Sequence, residues 1–391
     1  SSTTAAIRLF YGLQNGGGTT RLNKGFTIAL QGQGGTATTK NGEGNANASS
    51  TLYGVGVSGG SIQVNGPVKI DILSTGGKAE TFTGIASSTG GGIGIYTDND
   101  GMFTANDSVE IRCKGVGGEN NQDGTLTNGN ATVYGVAANK DSVVDFRNDV
   151  KIVAEADSYI NTGLPQGTET TRSLYALGGG TILVNQEGNN RLVQLTGDIN
   201  VDADSEINAA LDQSDSFFQG LVANSGTLNL GIENGAIWRP TTDGSSGVIN
   251  SNFGSTGAGL ILGNSGMIDM SFWHNQAGHN PDNQYRALDI SGNATLENGA
   301  IYKVNSDVVN LRADKINFLG PVTGSGTQYV QIGYDPAIAL VTAPNTQITA
   351  SPMIDVVTGL TGVESVTGLK NTVSDSLLNY EIMPAVIYDP V

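Results

Sequence analysis

The first half of the chain repeats itself with a period of about 41 residues, which is typical of repeat architectures. The segment Val68–Ile70 recurs as Val109–Ile111 and Val150–Ile152, and Phe26–Ile28 precedes the first of them at nearly the same interval. In such architectures each repeat packs against its neighbours. We therefore expect one elongated array of stacked repeats.

A tyrosine motif keeps the same phase. Tyr11-Gly12-Leu13 is followed by motifs that begin at Tyr53, Tyr134 and Tyr175. The interval between Tyr53 and Tyr134 covers two periods, and its midpoint holds a degenerate copy in the region that ends at Tyr96. The motif is interpreted as a column of equivalent positions in successive repeats.

A third alternating segment lies between these two markers. It is found at residues 62–64, 103–105 and 144–146, and an asparagine follows it closely as Asn65, Asn106 or Asn148. Each repeat therefore has three short strands, and like residues stack in columns when such coils pair in register. The pattern predicts an all-β fold, a parallel β-helix (a β-solenoid, pectin-lyase-like), which the crossover rule makes right-handed.

Each period is longer than the roughly 20 to 25 residues that a bare coil needs. The surplus follows the third strand, at about residues 29–50, 71–80, 113–132 and 153–172. Successive coils lie about 4.8 Å apart, so these insertions should leave one corner together and form one surface. We predict that this surface binds a partner, although solvated spacer loops are the alternative. The candidate binding residues are Asn120, Asn121, Gln122, Asp123, Glu155, Asp157, Tyr159 and Asn161.

The length of the repeats divides the chain into three regions. Residues 1–196 are expected to form a β-helical head with long loops at one corner, and residues 197–290 a more regular stem. The stem is suggested by Ser225–Leu230, which recurs as Ser265–Met270. Residues 291–391 are expected to form a C-terminal cap.

The C-terminal third carries the motifs of a family. A Leu288-Asp289-Ile290 strand is followed by a strand that ends at Ser306-Asp307, and then by Ala313-Asp314-Lys315-Ile316. With residues 339–344, this order resembles the pertactin-like, or autochaperone, region of autotransporter passenger domains. The resemblance covers residues 225–350, while residues 351–391 do not match the family.

The resemblance implies a type V secreted protein at the bacterial cell surface. It implies a signal peptide before residue 1 and a tether to an outer-membrane barrel after residue 391, both outside this chain. It also implies that the C-terminal coils fold first and template the others, because an exposed β edge needs a cap.

Charge limits the partners. The net charge is -17 and the isoelectric point is near 4.3, so the surface repels nucleic acid phosphates and anionic lipid headgroups. Apolar runs fall far short of the roughly 20 residues that cross a bilayer. We expect no nucleic acid partner and no membrane insertion. Cys113 is the only cysteine, so the chain has no internal disulfide.

Catalytic signatures are missing from the sequence. The two histidines, His274 and His279, lie together near Asp282, but no nucleophile stands in a Gly-rich turn that would complete a triad. Their spacing matches no strong metal motif. Trp238, Trp273 and Tyr285 are candidates for stacking on sugars, although packing of the tryptophans at a coil corner is the favoured interpretation. We predict no catalytic residue, cofactor or metal, and no enzyme.

These features predict an adhesin passenger domain that attaches to host or other bacterial cells through its stacked loops. The partner would be a surface protein or a glycan. The first alternative is self-association of identical passengers, which would drive aggregation and biofilm formation. A secreted polysaccharide-active enzyme is the third interpretation.

Overall fold

The structure is a computed structural model. It describes residues 3–5, 7–39, 44–158, 164–186, 190–241, 247–272, 285–334, 354–374 and 379–388. These ranges contain strands and turns but no helix, and therefore none long and apolar enough to cross a membrane. The chain forms two compact units: unit 1 comprises residues 1–187 and 194–207, and unit 2 comprises residues 188–193 and 208–391.

Unit 1 is a parallel β-helix in which each coil adds one strand to each of three sheets. The first sheet contains Arg8–Asn15, Ser50–Ser58, Thr89–Asp98, Asn130–Asn139, Glu169–Leu177 and Asp198–Val201. The second contains Gly18–Leu22, Gly60–Val64, Met102–Ala105, Val143–Phe146 and Thr181–Val184. The third contains Phe26–Gln33, Val68–Thr75, Val109–Val116 and Val150–Asp157. The strands Val193–Thr196 and Glu206–Leu211 contain residues of both units.

The third sheet confirms the predicted column of isoleucines. Ile28 pairs with Ile70, Ile70 with Ile111, and Ile111 with Ile152. The strands alternate buried and exposed residues, as expected when one face of a sheet lines the core. The alternation continues beyond the predicted three residues, so each strand has eight. The insertions therefore begin later than the sequence indicated.

The second sheet confirms the predicted alternating segments. Ile62 pairs with Phe103, and Phe103 pairs with Val144. Beyond the strand ends, Asn106 Nδ2 donates to Asn65 Oδ1 at 2.8 Å. Asn148 was predicted to continue this column, and that was wrong. The next position belongs to Arg147, whose backbone N–H donates to the Ala105 carbonyl at 3.1 Å.

The first three insertions contain short strands, where loops were expected. Thr36–Thr38, Lys78–Thr81 and Glu119–Gln122 pair in parallel, and Thr125–Asn128 pairs antiparallel with the last of them. We call these four strands the insertion sheet. A second small sheet contains Thr3–Ala5, Asn45–Asn47 and Ala86–Ser87. Small side chains form the core between these strands: Ala37, Ala46, Ala48, Ala79 and Ala86.

The first sheet breaks its alternation at a column of glycines. Leu52 and Val55 are both buried although they are three positions apart, and the register omits Gly54 and Gly94 between the paired residues. A Cβ atom at Gly54 would lie 2.5 Å from the Gly94 carbonyl oxygen. Larger residues do not fit here, because real Cβ atoms are not found that close to a backbone oxygen.

One predicted member of the tyrosine column was wrong. Tyr11 pairs with Tyr53, as expected, but Tyr134 pairs with Arg172, whereas Tyr175 pairs with Ala137. Tyr175 is thus displaced by three positions from the motif position. The glycine break explains the wrong prediction. The residue before the glycine and the residue two positions after it both face outward, so each strand offers two outward positions at which a tyrosine can stand.

Unit 2 also builds three parallel sheets from short strands. The first contains Val222–Asn224, Val248–Asn252, Ala287–Ser291, Lys315–Phe318 and Val357–Thr358. The second contains Thr227–Ile232, Thr256–Leu262, Ala294–Leu296 and Val322–Gly324. The third contains Phe217–Gln219, Ile237–Arg239, Met267–Asp269, Ile301–Val304, Thr327–Ile332 and Ser365–Leu369. Two antiparallel pairs join Ser306–Asp307 to Arg312–Ala313 and Asn371–Ser374 to Asn379–Ile382.

The recurrence that was predicted in this region does not relate equivalent strands. Thr227 pairs with Thr256 in the second sheet, whereas Met267 pairs with Ile237 in the third sheet. The two segments look alike because each starts a strand after a Ser-Gly turn and then alternates apolar residues. They occupy different faces of the coil.

Aromatic side chains fill the interior of unit 2. Trp238 stacks on Phe218 at a centroid distance of 6.2 Å and meets Phe253 edge-on at 5.4 Å. Its side chain is completely buried, and its Nε1–H donates to the Gly220 carbonyl at 2.9 Å. Trp238 therefore has the packing role that the sequence favoured, but it packs inside the coil and not at a corner.

Candidate functional site

The structure places part of the predicted binding surface on the insertion sheet. Asn120, Asn121 and Gln122 belong to its third strand, and Asp123 starts a two-residue hairpin turn. Asp123 has φ of 50° and Gly124 has φ of 76°. Positive φ at both central residues is what a type I′ turn requires, and Asp-Gly is a preferred sequence for it. Asp123 thus has a structural role and an exposed carboxylate.

The two asparagines of this strand are only partly satisfied. Asn121 Nδ2 donates to Glu80 Oε1 at 3.3 Å, and Asn120 Nδ2 donates to the Asn128 carbonyl at 3.4 Å. The Oδ1 atoms of both are buried without a hydrogen-bond partner among the described residues. Leaving a buried acceptor unpaired costs about 1 to 3 kcal/mol, so these two amides lower the stability of the strand.

Two of the acidic candidates, Glu155 and Asp157, lie on another sheet. Glu155 is on the outer face of the third sheet, where its Oε2 lies 3.5 Å from Arg112 Nη2. Asp157 ends the same strand, and its carbonyl accepts a hydrogen bond from the Gly117 N–H at 2.8 Å. Tyr159 and Asn161 lie outside the described residues. The predicted set is therefore divided between two sheets.

Sequence reasoning missed the apolar residues at the end of the insertion sheet. Phe82 directly follows the strand Lys78–Thr81 and is 64% exposed, and Ile85 is 62% exposed. The Asp123 N–H donates to the Thr81 carbonyl at 2.9 Å, which places the hairpin turn next to Phe82. Large apolar residues within a polar segment are the sequence signal that could have identified this candidate interaction surface.

A second surface lies on the outer face of the first sheet, where tyrosine rings stack along the axis of the coils. Tyr11 and Tyr53 stack with centroids 4.6 Å apart, and Tyr53 meets Tyr96 edge-on at 5.6 Å. Tyr134 and Tyr175 repeat the edge-on contact at 5.4 Å. We call these five residues the tyrosine ladder.

Small residues make room for the rings of the ladder. Gly56 pairs with Tyr96, and a Cβ atom at Gly56 would lie 2.8 Å from the Tyr11 ring. Ala137 stands between Tyr96 and Tyr175 in the register. The sequence showed the tyrosines only as markers of the period. The signal that could have predicted the ladder is a tyrosine in one coil with a small residue at the paired position of the neighbouring coil.

Hydrogen-bonding groups border the ladder. Asn139 Nδ2 lies 3.3 Å from the Tyr96 hydroxyl and 3.2 Å from Asp98 Oδ1. The Tyr175 hydroxyl donates to Asp202 Oδ2 at 2.9 Å. Burial and the hydrogen bond to Asp202 raise the pKa of Tyr175, so its hydroxyl stays protonated as a donor at neutral pH.

An arginine occupies one end of the ladder. The Arg172 guanidinium carbon lies 4.1 Å from the centroid of Tyr175 and 5.2 Å from that of Tyr134. Both distances are within the roughly 6 Å range of a cation–π contact. The ring pair therefore accommodates a cation.

Tyr285 and Cys113 make contacts within the protein. The Tyr285 hydroxyl donates to the Ser306 carbonyl at 3.2 Å, and the Arg312 guanidinium lies 5.4 Å from its ring centroid. Cys113 faces the core of unit 1, where burial raises the pKa of its thiol. Within the described ranges, no three His, Cys, Asp or Glu side chains group as metal ligands do. Trp273, His274, His279 and Asp282 lie outside these ranges.

Comparison with known proteins gives no match to a family model, to a curated protein or to a solved structure. The resemblance to autotransporter passengers therefore depends on the motifs of residues 225–350 and stays a prediction.

Proposed function

We propose that the chain is an adhesin of the bacterial cell surface, which attaches to host or other bacterial cells through the insertion sheet. One observation carries this proposal. Phe82 and Ile85, which lie in the connection after the strand Lys78–Thr81, are 64% and 62% exposed, and Phe82 lies next to the hairpin turn that begins at Asp123. Covering these two apolar side chains favours contact with a second molecule.

The insertion sheet is suited to binding because it is already ordered. Its strands pair in register, and buried alanines such as Ala37 and Ala79 support them. A preformed surface loses little conformational entropy when it binds. Binding rather than catalysis is proposed because the acids around it serve as structural partners: Lys78 Nζ lies 3.5 Å from Glu119 Oε1, for example.

Self-association of identical chains is the second candidate. The insertion sheet ends in the strand Thr125–Asn128, on which Leu126 is 39% exposed. A strand at the edge of a sheet is a template for pairing with another chain. The net charge of -17 opposes this contact, so it should strengthen as salt screens the repulsion.

The test displays the full chain on a non-adherent bacterium and measures attachment to epithelial cells and settling of the culture. The double variant Phe82→Ser, Ile85→Ser should lower attachment by about ten-fold or more, as expected when apolar anchors are lost. The matched control is Met102→Ser, which changes a side chain 45% exposed on the second sheet and should leave attachment unchanged.

The two candidates differ in their outcomes. Unchanged attachment in the double variant would contradict the insertion sheet as the adhesive surface. Settling that disappears in Leu126→Lys, while attachment to epithelial cells was never above background, would favour self-association instead.

A further inference from the structure

We propose that the tyrosine ladder binds a linear glycan with free amino groups, a polymer of de-N-acetylated hexosamine. Its cationic sugars would stack on the Tyr53–Tyr96 ring pair beside Asp98. This surface is on the first sheet and not on the insertion sheet, so the site is additional to the adhesive surface proposed above.

The ladder contains the same ring pair twice. Tyr53 and Tyr96 lie 5.6 Å apart with an interplanar angle of 63°, and Tyr134 and Tyr175 lie 5.4 Å apart at 64°. In the second pair, the Arg172 guanidinium lies over both rings. The second ring pair thus holds a cation of the protein itself, which indicates that a ring pair of this geometry binds cations.

The first pair lacks the internal cation. Ile93 pairs with Tyr53 in the register, as Arg172 pairs with Tyr134, so an uncharged side chain occupies the equivalent position. Asp98 lies two positions beyond Tyr96, and its Oδ1 is 3.6 Å from Lys140 Nζ. The Lys140 side chain is 59% exposed, whereas the Asp98 side chain is 16% exposed and also accepts hydrogen bonds from the Asn139 and Asn99 amides. An ion pair with so exposed a lysine contributes little, so an amino group of a ligand can replace Lys140.

The spacing of the ladder favours a sugar polymer over a peptide. Its rings follow the coils, which advance about 4.8 Å each, close to the length of one pyranose unit in an extended chain. The ring pair recurs after two coils, or about 9.6 Å, whereas side chains on one face of an extended peptide recur about every 6.7 Å. The net charge of -17 attracts a polycation over a longer range.

The test is calorimetric titration of the full chain with three probes: a glucosamine hexamer, an N-acetylglucosamine hexamer and hexalysine. The glucosamine hexamer should bind, and added salt should weaken it. Ile93→Arg should lower the affinity about ten-fold, because the guanidinium would fill the first ring pair as Arg172 fills the second. Arg172→Ile should raise the affinity by opening the second pair.

Two further variants separate glycan binding from misfolding and from adhesion. Tyr53→Leu should also weaken binding, which secures the test if Ile93→Arg fails to fold. The variant Phe82→Ser, Ile85→Ser should bind the hexamer normally, so loss of adhesion and loss of glycan binding are separate outcomes.

Three results would overturn the proposal. The first is that the glucosamine hexamer does not bind, or binds Ile93→Arg and Tyr53→Leu as tightly as the unchanged chain. The second is equal affinity for the N-acetylated hexamer, which would indicate a site for neutral sugars. The third is equal affinity for hexalysine, which would indicate a site for basic peptides.

Discussion

The outer face of the first sheet in unit 1 and the interior of unit 2 hold aromatic rings on opposite sides of the same kind of coil. Unit 1 presents tyrosines on the outside of its first sheet, where Tyr11 and Tyr53 stack. The interior of unit 2 encloses Phe218 and Trp238, which are completely buried. Aromatic residues that stack in register can therefore line an outer surface or fill a core. The outcome depends on whether the strand directs their side chains outward or inward.

The units also differ in the regularity of their coils. Unit 1 keeps a nearly constant step through its first four coils because its insertions pair as well: Lys78 pairs with both Thr36 and Glu119. Unit 2 varies, since the step between the paired residues Phe217 and Ile237 is much shorter than the step from Met267 to Ile301. A constant period in a solenoid sequence thus indicates that the insertions are stacked.

The largest expected effect tests the enclosed rings of unit 2. Trp238→Ala should lower the free energy of unfolding of unit 2 by about 3 to 5 kcal/mol, because it leaves a large cavity and an unpaired Gly220 carbonyl. Urea unfolding followed by circular dichroism measures this. Tyr53→Leu, on the outside of unit 1, should change stability by less than about 1 kcal/mol. Equal losses would contradict the distinction between the units.

An intermediate effect tests the glycine column of unit 1. A Cβ atom at Gly94 would lie 2.4 Å from Ile111 Cγ2 and 2.5 Å from the Gly135 carbonyl oxygen. Gly94→Ala should therefore cost about 1 to 3 kcal/mol through overpacking. Hydrogen exchange of unit 1 peptides measures it. Gly16→Ala is the control, since no atom lies within 4 Å of its Cβ position.

A pH dependence of stability is expected for unit 2, as a gradual change and not as the loss of a contact. Burial raises the pKa of Asp314 to about 6, although Oδ1 accepts a hydrogen bond from the Arg286 N–H and Oδ2 accepts one from the Asn305 N–H. Because the folded pKa exceeds the ordinary value of 3.8, the folded state binds the proton more tightly. This contribution to stability is fully present below about pH 4 and is lost as the pH rises through about 6, by at most about 1.4 kcal/mol per pH unit.

Tryptophan fluorescence measures this dependence selectively, since both tryptophans belong to unit 2. Asp314→Asn should remove the Asp314 contribution to the slope of unfolding free energy against pH. An identical slope in the two proteins between about pH 4 and pH 6 would show that Asp314 does not cause it.

The candidate surfaces were only partly predictable. The sequence located Asn120 and Asp123 in an insertion that stacks with its neighbours, and the structure shows the stacking. It gave no sign that these residues form strands, because their apolar core consists of single alanines far apart in the sequence, such as Ala37 and Ala79. Short strands with such small inward residues lack the alternation of large apolar residues that identifies a strand.

For unit 1 the sequence by itself determined the coil: three strands, a nearly constant period and an inward column of Val and Ile. It could do so because a parallel β-helix stacks like on like, and each inward position must match the one before it. Only the tertiary structure decided where the tyrosines point. The strand changes phase at Gly54 and its equivalents, so Tyr53 and Gly56, three positions apart, face the same side. Such a break depends on contacts between coils, which a single repeat does not reveal.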